Sequence, residues 1–205
     1  MTISIYLLKP KFQQLLRPVL DALARRRVTP NQVTLGTLSL SLAYGAALAW
    51  RPDFTLLWLG LPFFLLARMA LNALDGMLAQ ATGQKTALGA LLNEMCDQVA
   101  DVALYLPFML LGTLSAPLVL LSVILALLAE FAGVLALAVG VARRFDGPMG
   151  KSDRAFYFGL LALCSWGGAA APWMNGMLLV IMGLSACTAF NRLRQALRLC
   201  APEKR

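Results

Sequence analysis

Histidine is absent from this 205-residue chain, so no imidazole can bind a metal or act as a general base. Cys96, Cys164, Cys187 and Cys200 form no C-x-x-C pair, which leaves no thiolate framework for zinc or redox chemistry. They are expected to be packed or free thiols. Charge is scarce: Asp, Glu, Lys and Arg make up 14% of the chain, against roughly 25% in an ordinary soluble domain. Internal repeats and low-complexity segments are missing. So is a short apolar stretch with a small-residue cleavage site near the start, and no cleaved signal peptide is expected.

Apolar residues are abundant, at 60% of the chain. They gather in long runs near 30–50, 54–81, 86–113, 115–142, 155–171 and 174–191. Runs of this length predict an all-α integral membrane protein with six transmembrane helices. Residues 1–27 differ. Phe12, Leu15, Leu16, Val19, Leu20 and Leu23 repeat at helical spacing among Lys9, Lys11, Arg17 and Arg25–Arg27. This is an amphipathic juxtamembrane segment, expected to lie in the interface, with Pro18 bending it. The expected organisation is therefore 1–27 as an interfacial helix and 28–205 as one six-helix domain with a short cytoplasmic tail. Thr29-Pro30 reads as the cap and first turn of the first span, and Pro107 is expected to bend the third.

The net charge of +8 could suggest nucleic acid, but its placement argues against it. Sixteen of the eighteen Lys and Arg fall in the segments of one side; Arg51 and Arg68 are the exceptions. That asymmetry places both termini in the cytoplasm and turns a basic face towards anionic headgroups.

Four of the ten acidic residues stand in or beside the second and third spans: Asp75, Glu94, Asp97 and Asp101. A charge in hydrocarbon costs about 3 kcal/mol on insertion scales and defaults to a functional reading. Arg68, Asn72, Asp75 and Ala79 share one helical face within about 60°; Asn93, Glu94, Asp97 and Asp101 share another within about 100°. The turn between the two helices is short, so these faces lie at matching depth, roughly 8–18 Å from the cytoplasmic end by helix rise. Carboxylates facing each other need a cation. The ligands on offer are all oxygen, which favours Mg²⁺ or Mn²⁺, with Ca²⁺ as a substitute or inhibitor. Gly76, Ala79 and Gly89 would let a phosphate-bearing ligand approach the backbone.

These residues resemble the signature of the class-I CDP-alcohol phosphotransferases, D-x₂-D-G-x₂-A-R-x₈-G-x₃-D-x₃-D. The matching positions are Asn72, Asp75, Gly76, Ala79, Gln80, Gly89, Asn93 and Asp97. Spacing is kept throughout, and VTPNQVTLG from Val28 to Gly36 also resembles the family's first span. Three identities depart: Asn72 and Asn93 stand where the family has Asp, and Gln80 where it has Arg.

The resemblance implies transfer of a substituted phosphate group from a CDP-linked lipid, such as CDP-diacylglycerol, to a hydroxyl acceptor, with release of CMP. It implies Asp97 as the base. Asn72, Asp75, Asn93 and Asp97 would hold the metal, with Glu94 or Asp101 restoring charge. Asn31, Asp75, Gly76, Ala79, Gln80 and Gly89 would line the nucleotide. Lys151 and Arg154 would bind the acceptor, with Lys85 as a further cation. A homodimer in a bacterial inner membrane is implied as well. Two motif carboxylates suit one tightly bound divalent ion, or two with Glu94 recruited.

Arg68 and Glu130 lie at similar depth and are expected to pair, with Asp101 as the rival partner for Arg68. A catalytically inactive relative that binds lipid or nucleotide is the alternative reading. An ion pathway is the third, but it would distribute charge across the membrane.

Overall fold

The structure is a computed structural model that describes residues 9–200. The first eight residues of the juxtamembrane segment and residues 201–205 of the expected tail lie outside the described residues, as do the side chains of Lys9 and Lys11.

The described residues form seven α-helices: α1 (Lys9–Arg25), α2 (Pro30–Trp50), α3 (Thr55–Ala81), α4 (Ala87–Tyr105), α5 (Ala116–Leu135), α6 (Lys151–Trp166) and α7 (Ala171–Cys200). No strand occurs among them. Local chemistry sets most of the boundaries. At the start of α2, the Gln32 N–H donates to Thr29 Oγ1 and the Thr29 N–H donates to Gln32 Oε1, which is a capping box. Two residues beyond the end of α3, Gly83 has a φ of +67°, a left-handed stop. Beyond α4 the chain tightens into a 3₁₀ turn at Leu106–Leu110 with Pro107 in its first turn, because proline cannot donate the next helical bond. Pro18 lies inside α1 without ending it.

Among the described residues four helices are long and apolar enough to cross a membrane: Pro30–Trp50, Thr55–Ala81, Ala116–Val139 and Ala171–Cys200. Of the six expected spans, the third falls on α4, whose Glu94, Asp97 and Asp101 dilute its apolarity. The fifth falls on α6, which is only 16 residues long. Two further boundaries differ from expectation. Lys151, Asp153 and Arg154, just before the apolar run expected to begin near 155, stand in the first turn of α6, because Asp153 Oδ2 accepts the Gly150 N–H at 2.9 Å and caps the helix there. The last helix runs on to Cys200, so the residues read as the start of a tail are helical.

Two compact units are present, one of them Met1–Ala43 with Leu66–Asp101 and the other Tyr44–Leu65 with Val102–Arg205. In the first unit α1 follows its apolar stripe only in part. Leu16 is buried, while Leu15 is 74% exposed and Val19 47% exposed, an outward apolar edge suited to lipid.

In the second unit α5 packs along α7. Ala126, Ala129, Ala132 and Gly133 line the buried face of α5, and Leu178, Ile181, Ser185, Thr188 and Arg192 follow helical spacing down α7. Small residues bring the two backbones close. At Gly133 a Cβ would lie 2.6 Å from the Arg144 carbonyl oxygen, so any side chain there would displace the segment that follows α5. An aromatic cluster of Trp58, Tyr105, Phe108 and Phe158 fills the rest of this core.

Candidate functional site

In the first unit α3 and α4 are antiparallel, and their polar faces meet as a ladder of three rungs. Arg68 Nη1 pairs with Asp101 Oδ1. Asn72 Nδ2 donates to Asp97 Oδ1 at 2.9 Å. Asn93 Nδ2 donates to Asp75 Oδ2 at 2.9 Å. The partners are separated by 33, 25 and 18 residues. The separation drops by about two turns' worth of chain at each step, one turn from each helix, as antiparallel helices in register require. The two acidic faces read from the sequence do face each other, at one depth.

Each rung is tied further. Arg68 Nη2 donates to the Asp97 carbonyl oxygen at 2.9 Å and lies 3.7 Å from Asp97 Oδ1. Thr34 Oγ1, on α2, donates to Asp75 Oδ2 at 2.8 Å. Thr34 was not singled out from the sequence, although it lies four residues after Pro30 and hence on the same side of α2. Arg68 takes Asp101, the rival partner, and not Glu130. Asp101 is therefore engaged by a guanidinium. Glu94 is half-buried on α4.

The donor set at the motif positions is two carboxylates, two carboxamides and the Thr34 hydroxyl. Among the described residues no group of three or more His, Cys, Asp or Glu is placed to hold a metal ion. Two carboxylates with amide oxygens fit one hard divalent cation and leave a pair under-compensated. The two Asn amides now donate to both carboxylates, so binding an ion requires them to turn their oxygens inward.

Combining Asn72→Asp with Asn93→Asp is accordingly expected to lower the melting temperature in EDTA, since carboxylates then face carboxylates. The same pair of changes should enlarge the stabilisation by Mn²⁺ several-fold in apparent affinity. Equal metal-induced shifts in variant and wild type would rule out a metal held between these residues.

The remaining positions divide. Gly76 is exposed, and a Cβ there would meet nothing within 4 Å. Protein packing does not require a glycine at this point, and the space beside it is open to a ligand. At Gly89 a Cβ would lie 3.0 Å from Asn31 Oδ1 and 3.2 Å from Thr86 Oγ1, so Gly89 accommodates Asn31 and the helix start. Ala79 is half-buried, and Gln80 and Lys85 are exposed. Asn72, Gly76, Met77 and Gln80 of α3 line a cavity of about 240 Å³ together with Phe12 and Gln13 of α1.

The second unit holds its own charged centre. Glu130 of α5 accepts from Arg154 Nη1 at 2.8 Å and from Arg143 Nη2 at 3.1 Å, with Arg192 Nη1 at 3.2 Å. Arg192 also donates to the Ala129 carbonyl oxygen at 2.6 Å and the Asp146 carbonyl oxygen at 3.2 Å. The Arg154 and Arg192 side chains are 0% and 2% exposed. Three guanidiniums thus surround one carboxylate. Burial first, and then the nearby Arg192 and Arg154 charges, push the Arg143 guanidinium below its ordinary pKa. Asp146 is occupied by its own fork from Arg144, which holds its carboxyl below the usual range. Of these cations the sequence reading named Arg154 alone as a ligand. The polar positions Ser185, Thr188 and Arg192 at helical spacing on apolar α7 were the signal for Arg192. Lys151 is half-buried at the start of α6.

The family described as CDP-alcohol phosphatidyltransferase matches residues 27–196. Inner membrane protein YnbA of Escherichia coli (strain K12) is 45% identical over 204 residues, covering 97% of this chain and 98% of that protein. Archaetidylinositol phosphate synthase of Pyrococcus horikoshii is 31% identical over 145 residues, covering 67% of this chain and 74% of that protein. Among solved structures, the phosphatidylinositol phosphate synthase of Mycobacterium tuberculosis with manganese and citrate gives a TM-score of 0.72 at 22% identity, covering 88% of each chain. The same protein with CDP-DAG bound gives 0.71 at 22% identity, covering 87% of this chain and 92% of that one. These last two are likenesses of fold.

Proposed function

This chain belongs to the CDP-alcohol phosphatidyltransferase family, and on that premise we propose that it moves a phosphatidyl group from a CDP-linked lipid to a hydroxyl acceptor. The observation that carries this reading is the α3–α4 ladder, which sets Asp75 and Asp97 across from Asn93 and Asn72. Asp75 and Asp97, with the amide oxygens of Asn72 and Asn93, would hold one Mg²⁺ or Mn²⁺. The bound ion supplies neutralisation of the charge on the donor's pyrophosphate.

The remaining chemistry falls to the side chains. Asp97 takes the proton from the acceptor hydroxyl as that oxygen forms its bond to the lipid-side phosphorus. The bond from that phosphorus to the bridging oxygen breaks, and CMP leaves. Arg68 is the positioning residue: its bonds to Asp101 and to the Asp97 main chain set the rotation of α4 that aims Asp97. Within the second unit by itself, the excess of guanidinium over carboxylate around Glu130 suits a phosphate-bearing molecule, with Arg143 as the more accessible cation. Lys151 adds charge at the start of α6.

The test is release of CMP by the purified protein from CDP-diacylglycerol with Mn²⁺ and a panel of polyols and their phosphate esters. Release only with phosphorylated acceptors is expected. Release with unphosphorylated polyols alone would refute the acceptor class. The Asn–Asp bonds also favour the second reading, a relative that binds lipid without turnover, because they satisfy the ladder without an ion. Donor binding with no CMP from any acceptor would establish that reading instead.

Gly76→Ala separates packing from ligand contact. The substitution is expected to leave the melting temperature equal or higher, since alanine in a helix is favoured by roughly 0.5–1 kcal/mol over glycine. It should raise the KM for the donor by about tenfold or more, as an added methyl in a fitted site does. An unchanged KM would show that the open space beside Gly76 is not used by the donor.

A further inference from the structure

The cavity beside Gly76 is walled on one side by α1, a helix that none of the motif residues belong to. Phe12 and Gln13 of α1 and Asn72, Gly76 and Gln80 of α3 line it, with a volume of about 240 Å³. Drug-sized sites begin near 300 Å³, so this space suits a fragment such as one planar base, not a whole lipid nucleotide.

The chemistry of the walls narrows the choice. None of the described lining residues is Lys or Arg. The polar groups are carboxamides, which present a donor and an acceptor side by side. They match the edge of a pyrimidine, which also presents both. Phe12 adds a ring with a face on which a base can stack, a contact worth roughly 1–3 kcal/mol. Simple packing of α1 is already served by Leu16, which is buried at 8% exposure one turn further on. Phe12 and Gln13 are only half-buried, as residues at the mouth of an open cavity are.

Resting on the proposed CDP-lipid donor, we propose that α1 completes the nucleotide site, with Phe12 stacking on the cytosine base and Gln13, opposite Gln80, reading its edge. The amphipathic helix thereby joins two tasks. Its outward Leu15 and Val19 face the lipid, and its inward residues select the nucleotide.

The test is calorimetric binding of CMP and UMP to the full chain in detergent with Mn²⁺ present. Phe12→Leu, which keeps the apolar volume, is expected to weaken CMP binding about tenfold, the loss of about 1.4 kcal/mol of stacking. Phe12→Tyr, which keeps the ring, is expected to bind within twofold of wild type. Gln13→Leu is expected to cut the preference for CMP over UMP by roughly three- to tenfold. Mn²⁺ affinity should be unchanged in all three. CMP affinity and CMP/UMP preference within twofold of wild type in Phe12→Leu and Gln13→Leu would overturn the role of α1, whether or not those variants melt lower, and would leave the donor reading standing. A wild-type chain that binds no CMP would overturn both.

Discussion

Asp97→Asn is expected to lower the rate of CMP release by about 10³-fold, within the 10²–10⁴ that a positioned general base contributes. The geometry makes this substitution unusually clean. The carboxamide that replaces the Asp97 carboxylate would retain an oxygen to accept the Asn72 amide, and the main-chain carbonyl that receives Arg68 is untouched. The Arg68–Asp101 pair stays in place as well. Fold and donor binding should therefore survive, and the melting temperature should stay within a few degrees. Because the change also removes a charge from the proposed metal position, release is to be measured across a Mn²⁺ titration. A rate that stays low at saturating Mn²⁺ identifies the lost proton acceptor. A loss of less than about tenfold at saturation would remove Asp97 from the chemical step.

Glu130→Gln should have the largest effect on stability. In wild type one carboxylate faces Arg143, Arg154 and Arg192, and two of those side chains are almost fully buried. Removing one member of a buried ion pair costs roughly 3–5 kcal/mol, because the remaining charge is left in low dielectric. Here three like charges would be left together. For a chain of this size that corresponds to a fall in melting temperature of about 10 °C. Gln keeps the shape and one acceptor oxygen, so the loss reports charge and not volume. A melting point within about 2 °C of wild type would mean that the guanidiniums are neutralised by something other than Glu130. Inorganic phosphate should restore part of the loss, since an anion among the three cations substitutes for the missing carboxylate.

Several features were readable from residue order because they depend on spacing along one helix. Thr29 and Pro30 announce the start of α2, and the start is found there. Pro107 is expected to bend the third span, and instead α4 ends just before it, at Tyr105, where the chain tightens. Asn72 and Asp75 on one helix and Asn93 and Asp97 on the next share faces by the 3.6-residue period. The short connection between α3 and α4, from Ala81 to Ala87, forces those faces into antiparallel register. Misreadings arose where charge was taken as a sign of loop. Lys151–Arg154 looks like a solvated segment, yet Gly150 and Asp153 cap a helix there. Arg192, Arg194 and Arg198 lie beyond the apolar run expected to end near 191, and α7 continues through them to Cys200.

Periodicity and turn length alone thus gave the all-helical architecture, four of the six expected spans and the meeting of two polar faces beside Asp75 and Asp97. Periodicity and turn length suffice for those features because both are local properties of the chain. Partner choice was settled elsewhere. Arg68 had Asp101 and Glu130 at comparable depth, and helix rise cannot separate two candidates at one height. What chose Asp101 was the rotation of α3 against α4. Likewise Glu130, Arg143, Arg154 and Arg192 converge from four separate segments, and Phe12 and Gln13 reach the Gly76 cavity from a helix about sixty residues away along the chain. Such meetings depend on how helices roll and close against one another. That depends on the packing of every buried side chain at once, so no window of sequence contains it.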